Sequence, residues 1–318
     1  MKKFRLINNI SGWFVFVIAA ITYLLTIEPT ASLWDCGEFI ASGYKLEVGH
    51  PPGSPVFMVL ARVFTLFAGG DTSKVAAMVN AMSALMSAFT ILFLFWTITH
   101  IARKIIAKEE SMLTIPRIVA IMAAGATGAL AFTFSDSFWF SAVEGEVYAT
   151  SSFFTAAVFW AILKWEDVAD EEHADRWIIL IAFLMGLSIG IHLLNLLTLP
   201  AILLVYYFRK FEFSWKGLIT AVIASVVVLA LLIWGIIPGL ITISSRLDLF
   251  FVNTLGLPPN SGLIFHWLLL GIFFTLAIRF TYFSENRIKN GIFAVAALFL
   301  TGVWIISGSA FLNILSLI

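Results

Sequence analysis

The sequence predicts an all-α, polytopic transmembrane protein with about nine spans. Three observations carry that reading. Of 318 residues, 61% are apolar and only 12% are charged. A water-soluble domain would be nearer half apolar and a quarter charged. Mean hydropathy is +1.00. The apolar residues also fall in blocks of about the 20 residues that a bilayer core demands.

In chain order, the blocks lie at about 10–27, 76–101, 116–134, 147–163, 177–192, 194–208, 217–240, 263–283 and 291–312. The first follows Lys2, Lys3 and Arg5, and no small-residue cleavage site precedes Trp34 and Asp35, so a retained signal anchor is expected. A further stretch, Ser54–Ala68, is short for a span and contains Arg62. Charge decides its place. If it lies in the interface, fifteen of the nineteen Lys and Arg fall on the side of the N-terminus, leaving Lys45, Arg62, Lys74 and Arg246 opposite. Basic residues stay cytoplasmic, so the interfacial reading is preferred.

This map gives a long first outer loop, about 28–75, with two short helices. Further outer segments follow at about 135–146, at a tight turn near His192 and at about 241–262. No linker or internal repeat is visible, and a single domain over 1–318 is expected. Lys and Arg balance Asp and Glu at nineteen each, which excludes the basic surface a nucleic-acid partner needs. The lone Cys36 excludes an intrachain disulfide and is read as incidental. The acidic run Glu166–Asp175 reads as a solvated cytoplasmic loop.

The unusual polar residues gather in the outer loops. Span interiors hold no Asp or Glu, unlike transporters that bind ions at the midplane. Outside lie Asp35 and Glu38, then His50-Pro51-Pro52-Gly53, then Glu144-Gly145-Glu146-Val147-Tyr148, then His192 with Asn195 one turn inward. Asp35 and Glu38 have the spacing of a capping box for a helix running to about Leu46, and equally of carboxylates tuned for base chemistry at a membrane surface. Glu144 and Glu146 open a span, where acids suit the helix dipole. His192 and Asn195 are placed on one helical face, where a packing role competes with a ligand role. No close pair of His or Cys marks a metal site.

The pattern Asp35-x-Gly37-Glu38 after the first span, with His50-Pro51-Pro52-Gly53-x-Pro55, resembles a bacterial membrane family related to the animal transmembrane O-mannosyltransferase, within the GT-C glycosyltransferases. The resemblance runs from the first span to about residue 210, and is weaker around Glu144 and His192. It implies a GT-C-like fold with two membrane-lying helices in the first outer loop. It also implies an inverting transferase that moves a sugar, mannose on this resemblance, from a polyprenyl-phosphate donor to a protein Ser/Thr hydroxyl at the periplasmic side of a bacterial inner membrane. Asp35 carries over as catalytic base, with Glu38 beside it. Positive charge or donors for the leaving phosphate come from His50 first, then Arg62, His192 and Arg246. Glu144, Glu146, Tyr148 and Asn195 complete the expected substrate wall. No cofactor is expected. Relatives often continue into a long soluble C-terminal region, which this sequence is expected to lack, and they carry more spans. The competing reading is a transporter or binding protein for a lipid or lipid-linked sugar; a scaffold subunit is the third.

Overall fold

The computed structural model describes residues 2–51, 53–107, 110–282 and 287–302. Among them every regular element is helical. The helices are α1 Lys2–Leu25, α2 Cys36–Lys45, α3 Pro55–Thr65, α4 Val75–Ile106, α5 Ile115–Thr133, α6 Asp136–Ala142, α7 Val147–Val168, α8 Asp175–Ile189, α9 Leu199–Lys210, α10 Trp215–Ala230, α11 Ile237–Asn253, α12 Ser261–Tyr282 and α13 Arg287–Leu300. They form two compact units, Met1–Ser214 and Trp215–Ile318.

Among the described residues, seven helical segments are long and apolar enough to cross a membrane: Lys2–Leu25, Thr72–Ile106, Ile115–Thr133, Val147–Val168, Leu193–Lys210, Trp215–Asn253 and Ser261–Phe280. Two expected spans differ. α8 has 15 residues, or about 22 Å at 1.5 Å per residue, short of a hydrocarbon core of about 30 Å. The block at 291–312 lies partly outside the described residues.

In the first unit α4 is the central helix, packed against α1, α5 and α7. Apolar burial cannot drive helices together in lipid, so close contact at small residues carries the packing. A Cβ at Gly125 would sit 2.5 Å from Thr99 Cγ2 and 2.9 Å from Phe95 Cε2. One at Gly12 would sit 2.6 Å from Trp96 Nε1.

The segment between α1 and α4 returns to the end it left. Asn80, two turns into α4, donates its side-chain amide to the carbonyls of Glu28 (2.5 Å) and Thr30 (3.0 Å), just past α1. Ser54–Ala68 therefore begins and finishes at one end of the bundle, as the charge asymmetry requires. α3 turns Phe57, Met58, Ala61 and Thr65 inward, while Val59, Val63, Leu66 and Phe67 stay exposed. α2 and α3 seal a core with Val79 and Met82 of α4, Val147 of α7 and Ile191.

The acidic run divides between the end of α7 and an exposed turn. Glu166 and Asp167 fall within the last turns of α7, where Lys104 pairs with Glu166 (2.7 Å) and Arg103 with Asp167 (3.4 Å). Asp170, just beyond, pairs with Lys210 (3.3 Å) and with Arg209. Opposite charges on α4 and α9 pair with these acids at the bundle surface, while Asp170, Glu171, Glu172 and Asp175 stay exposed.

In the second unit, α10 and α11 run as one helix across Trp215–Asn253, joined by a π-helical segment, Leu231–Ile236. Pro238 withholds a backbone donor, and the wider π turn absorbs that defect without breaking the helix. The expected outer loop 241–262 thus shrinks to 254–260. Asp248 closes it, accepting from the backbone N–H groups of Asn260 (3.2 Å) and Gly262 (3.0 Å).

Candidate active site

Past Leu25 the chain runs irregularly to Asp35, held on both sides. Glu28 donates its N–H to Val143 O (3.0 Å), and Trp139 donates its indole N–H to Thr26 Oγ1 (2.9 Å). This brings the 135–146 segment against the first loop. Gly145 lies where any side chain would collide: its Cβ would be 2.8 Å from Asn80 Oδ1 and 3.1 Å from both Ile40 and Val79.

The capping box does not form. Asp35 occupies the N-cap of α2, yet its carboxylate makes no capping bond and stays exposed. Glu38 turns away to accept from His50 twice, from the backbone N–H (2.5 Å) and from ring Nδ1 (3.1 Å). These bonds hold the Glu38 carboxyl below its ordinary range. In return the Glu38 contact, then the charges of Asp35 and Glu146, raise the His50 imidazole against the smaller opposing effect of desolvation. Ligand atoms of Asp35, Glu38 and His50 lie within 4.8 Å of one another. No close His or Cys pair is needed for such a set: two carboxylate oxygens and one imidazole suit a divalent cation. Pro52 of the turn lies outside the described residues.

Below this exposed trio lie two buried carboxyls. Glu146, the N-cap of α7, lies against the backbone of Asp35. Burial raises its pKa most, with the Glu144 and Asp35 charges adding. The fully buried Cys36 thiol lies near Glu144; burial and the charges of Glu144 and Glu146 push it up to about 12. Four carboxyls thus share one small region, and among the described residues no Lys or Arg forms an ion pair with Asp35, Glu38, Glu144 or Glu146. Uncompensated negative charge at close quarters is relieved by retaining a proton or taking up a cation.

Two more expected residues join from α7 and the turn after α8. Ser54 donates to Ile191 O (2.9 Å) and Val56 N–H to Gly190 O (2.9 Å), fastening the His50 turn to this segment. The Tyr148 and His192 rings are 5.4 Å apart. His192 is not on a helical face with Asn195. It is extended, its Nδ1 accepting Leu194 N–H (3.2 Å) at the start of a 3₁₀ turn, Leu193–Thr198, and burial lowers its pKa. The neutral ring then presents Nε2–H as donor.

Of the remaining candidates, Asn195 shares a cavity wall with Tyr148, and the two arginines lie elsewhere. Asn195 is buried, its Oδ1 accepting from Ser151 (2.8 Å) and Thr155 (2.7 Å), in the wall of a cavity of about 450 Å³ beside α7. Arg62 donates to Tyr44 O (2.7 Å) and lies over the Tyr44 ring, so it locks α3 to the end of α2. Arg246 belongs to the second unit, exposed on α11. Sequence reasoning missed Asn80 and the burial of Cys36 beside Glu144. A lone amide inside an apolar helix was the available signal for Asn80; none marked Cys36.

The model of the family described as the protein O-mannosyl-transferase TMEM260 N-terminal domain matches residues 35–215. The chain belongs to that family. The match opens at Asp35 and closes at the end of the first unit. Among curated proteins, the chain is similar to the Protein O-mannosyl-transferase tmem260 of Dictyostelium discoideum, 27% identical over 203 residues, which is 61% of this chain and 22% of the relative. It is 28% identical over 176 residues to Protein O-mannosyl-transferase TMEM260 of Mus musculus, covering 55% of this chain and 22% of that relative. The matched part is thus under a quarter of either relative's length. No solved structure matches.

Proposed function

We propose that this chain is a membrane glycosyltransferase moving a sugar, mannose by analogy with its relatives' names, from a polyprenyl-phosphate donor to a protein Ser/Thr hydroxyl at the outer face of the cytoplasmic membrane. One observation carries the reading. Within a chain of this family, Asp35 is exposed and free of capping duty beside an imidazole that Glu38 holds toward its charged form. The bundle end carrying them is the one the charge asymmetry assigns to the outside.

The chemistry follows a GT-C-like, inverting course. Asp35 takes the proton of the acceptor hydroxyl as its oxygen bonds the anomeric carbon. The bond from that carbon to the phosphate oxygen breaks on the opposite face, and the phosphate leaves with the electron pair through an oxocarbenium-like transition state. His50, as imidazolium, donates to the departing phosphate. Glu38 is a positioning residue in this scheme, acting through His50. His192 Nε2–H and the Tyr148 hydroxyl, whose rings pack together, are the donors assigned to the sugar.

A divalent cation on Asp35, Glu38 and His50 is the second reading. The convergence of the three donors and the lack of a Lys or Arg partner favour it. Such an ion would supply charge to the leaving phosphate that the acid-rich site lacks. Transferase and transporter separate in one assay. The reconstituted chain, given polyprenyl-phosphate mannose and a Ser/Thr acceptor, releases free polyprenyl phosphate in proportion to glycosylated product. Movement of intact donor across the bilayer without that release refutes the proposal.

A further inference from the structure

At the opposite end of the first unit lies a cavity of about 500 Å³ that the transferase reading does not use. It opens between the first turns of α1, the last turns of α4 and α7, and the start of α8. His100 in its wall is twenty residues along α4 from Asn80, about 30 Å from the acid end at 1.5 Å per residue.

The lining combines indoles with excess positive charge. Trp13, Trp96, Trp160 and Trp177 form a chain, with successive ring centroids 6.3, 5.7 and 5.9 Å apart. Three cations reach the cavity, Arg5, Arg103 and Lys164, against one carboxylate, Asp167. That carboxylate is already shared between Arg103 (3.4 Å), Lys104 (3.7 Å) and His100 (3.7 Å). Arg5 and Lys164 have no ion pair among the described residues; Lys164 is partly buried and lies over the Trp160 ring. The one carboxylate near Lys164, Asp167, is divided among several cations, so positive charge is left in excess and the site is set for an anion.

Independent of charge, the wall holds unused polar atoms. His100 is buried at 6% exposure, and its Nε2 has no hydrogen-bond partner among the described residues; neither has the buried Asn8 amide oxygen. Buried polar atoms are normally satisfied, so these two acceptors beside a cavity point to a missing partner that carries a donor, such as the P–OH of a phosphate monoester. The outer side of α1 next to the cavity exposes Ile10, Trp13 and Phe14, a greasy rim with an indole at its edge. Indoles at that position suit the level of lipid headgroups.

We propose that this cavity is a second binding site, separate from the acid cluster, which takes the phosphate head of an amphiphile whose tail lies along the exposed flank of α1. Lys164 and Arg5 bind the phosphate, His100 Nε2 accepts from its P–OH, and the indoles cover the first carbons below it. The inference does not rest on the transferase reading, since it concerns residues at the other end of the bundle.

Native mass spectrometry of the purified full chain tests it, with dilauroyl phosphatidic acid as probe and dilauroyl phosphatidylcholine as the zwitterionic comparison. Phosphatidic acid is expected to bind at least about 10-fold more tightly, and Arg5→Gln with Lys164→Gln to remove that preference, as lost charge-assisted bonds require. His50→Ala, at the far end, leaves it intact. Competition by glycerol 3-phosphate supports the site and assigns it to soluble phosphate esters; failure to compete supports the lipid. Equal binding of the two lipids, or full preference in a double variant of parental melting temperature, overturns the proposal. Should the double variant not fold, Lys164→Gln alone is read against the same criterion.

Discussion

Replacing Asp35 by Asn separates a base from a helix cap. An N-cap carboxylate whose bond is lost costs about 1 kcal/mol, but Asn caps as well as Asp. Here even that small difference vanishes, because Asp35 makes no capping bond. The variant should therefore melt within about 0.5 kcal/mol of the parent, the usual range for a surface change. Removing the charge lessens the electrostatic load on Glu146, whose pKa Asp35 helps to raise. The amide cannot take the acceptor proton. Loss of a positioned general base costs roughly 10²–10⁴ in rate, about 2.7–5.4 kcal/mol of barrier at 1.36 kcal/mol per decade. The assay is release of polyprenyl phosphate from polyprenyl-phosphate mannose, with calorimetry on the same preparation. A folded variant that transfers at the parental rate refutes the role given to Asp35, whatever the family membership.

Other expectations follow from neighbouring residues. Glu38→Gln keeps an acceptor for the His50 N–H but removes the charge that raises the imidazole. The alkaline limb of the pH–rate profile should therefore move to lower pH, and an unmoved limb would show that His50 does not act as imidazolium. In the parent, the Glu38–His50 contact supports the loop between the lowered Glu38 pKa and the raised His50 pKa, fading as pH falls through the first or rises through the second. Gly145→Ala forces a Cβ to 2.8 Å from Asn80 Oδ1; a loss of about 1–3 kcal/mol is expected by thermal melting, and parental stability would mean the loops are not locked there. Cys36, buried with its pKa pushed up to about 12, should resist iodoacetamide until the protein is denatured. Cys36→Ala, which empties a fully buried site, should cost about 1 kcal/mol by thermal melting, and an unchanged melt would show that the site closes up. Treatment with EDTA should leave transfer unchanged if Asp35 acts as a bare base; loss of activity restored by a divalent cation would establish the metal reading.

The sequence by itself determined what block composition and charge can encode. Helices of bilayer length, the short amphipathic pair in the first loop, and the side on which Lys and Arg collect all follow from local hydropathy and from counting. The motif of Asp35, Glu38 and His50 was legible too, because its members lie within 16 positions of each other. Tertiary structure decided the partners. Whether Glu38 caps α2 or grips His50 depends on where a turn twelve residues later comes to rest, and backbone and side-chain bonds together outweigh the box. Glu144 and Glu146 became buried neighbours of Asp35 because Asn80, Glu28 and Val143 clamp two loops more than a hundred residues apart. Arg62, an equal candidate on charge alone, was taken up by the Tyr44 carbonyl, and Asn195 by two hydroxyls of α7. Local pattern states which groups are polar; only the fold states which of them have already spent their hydrogen bonds.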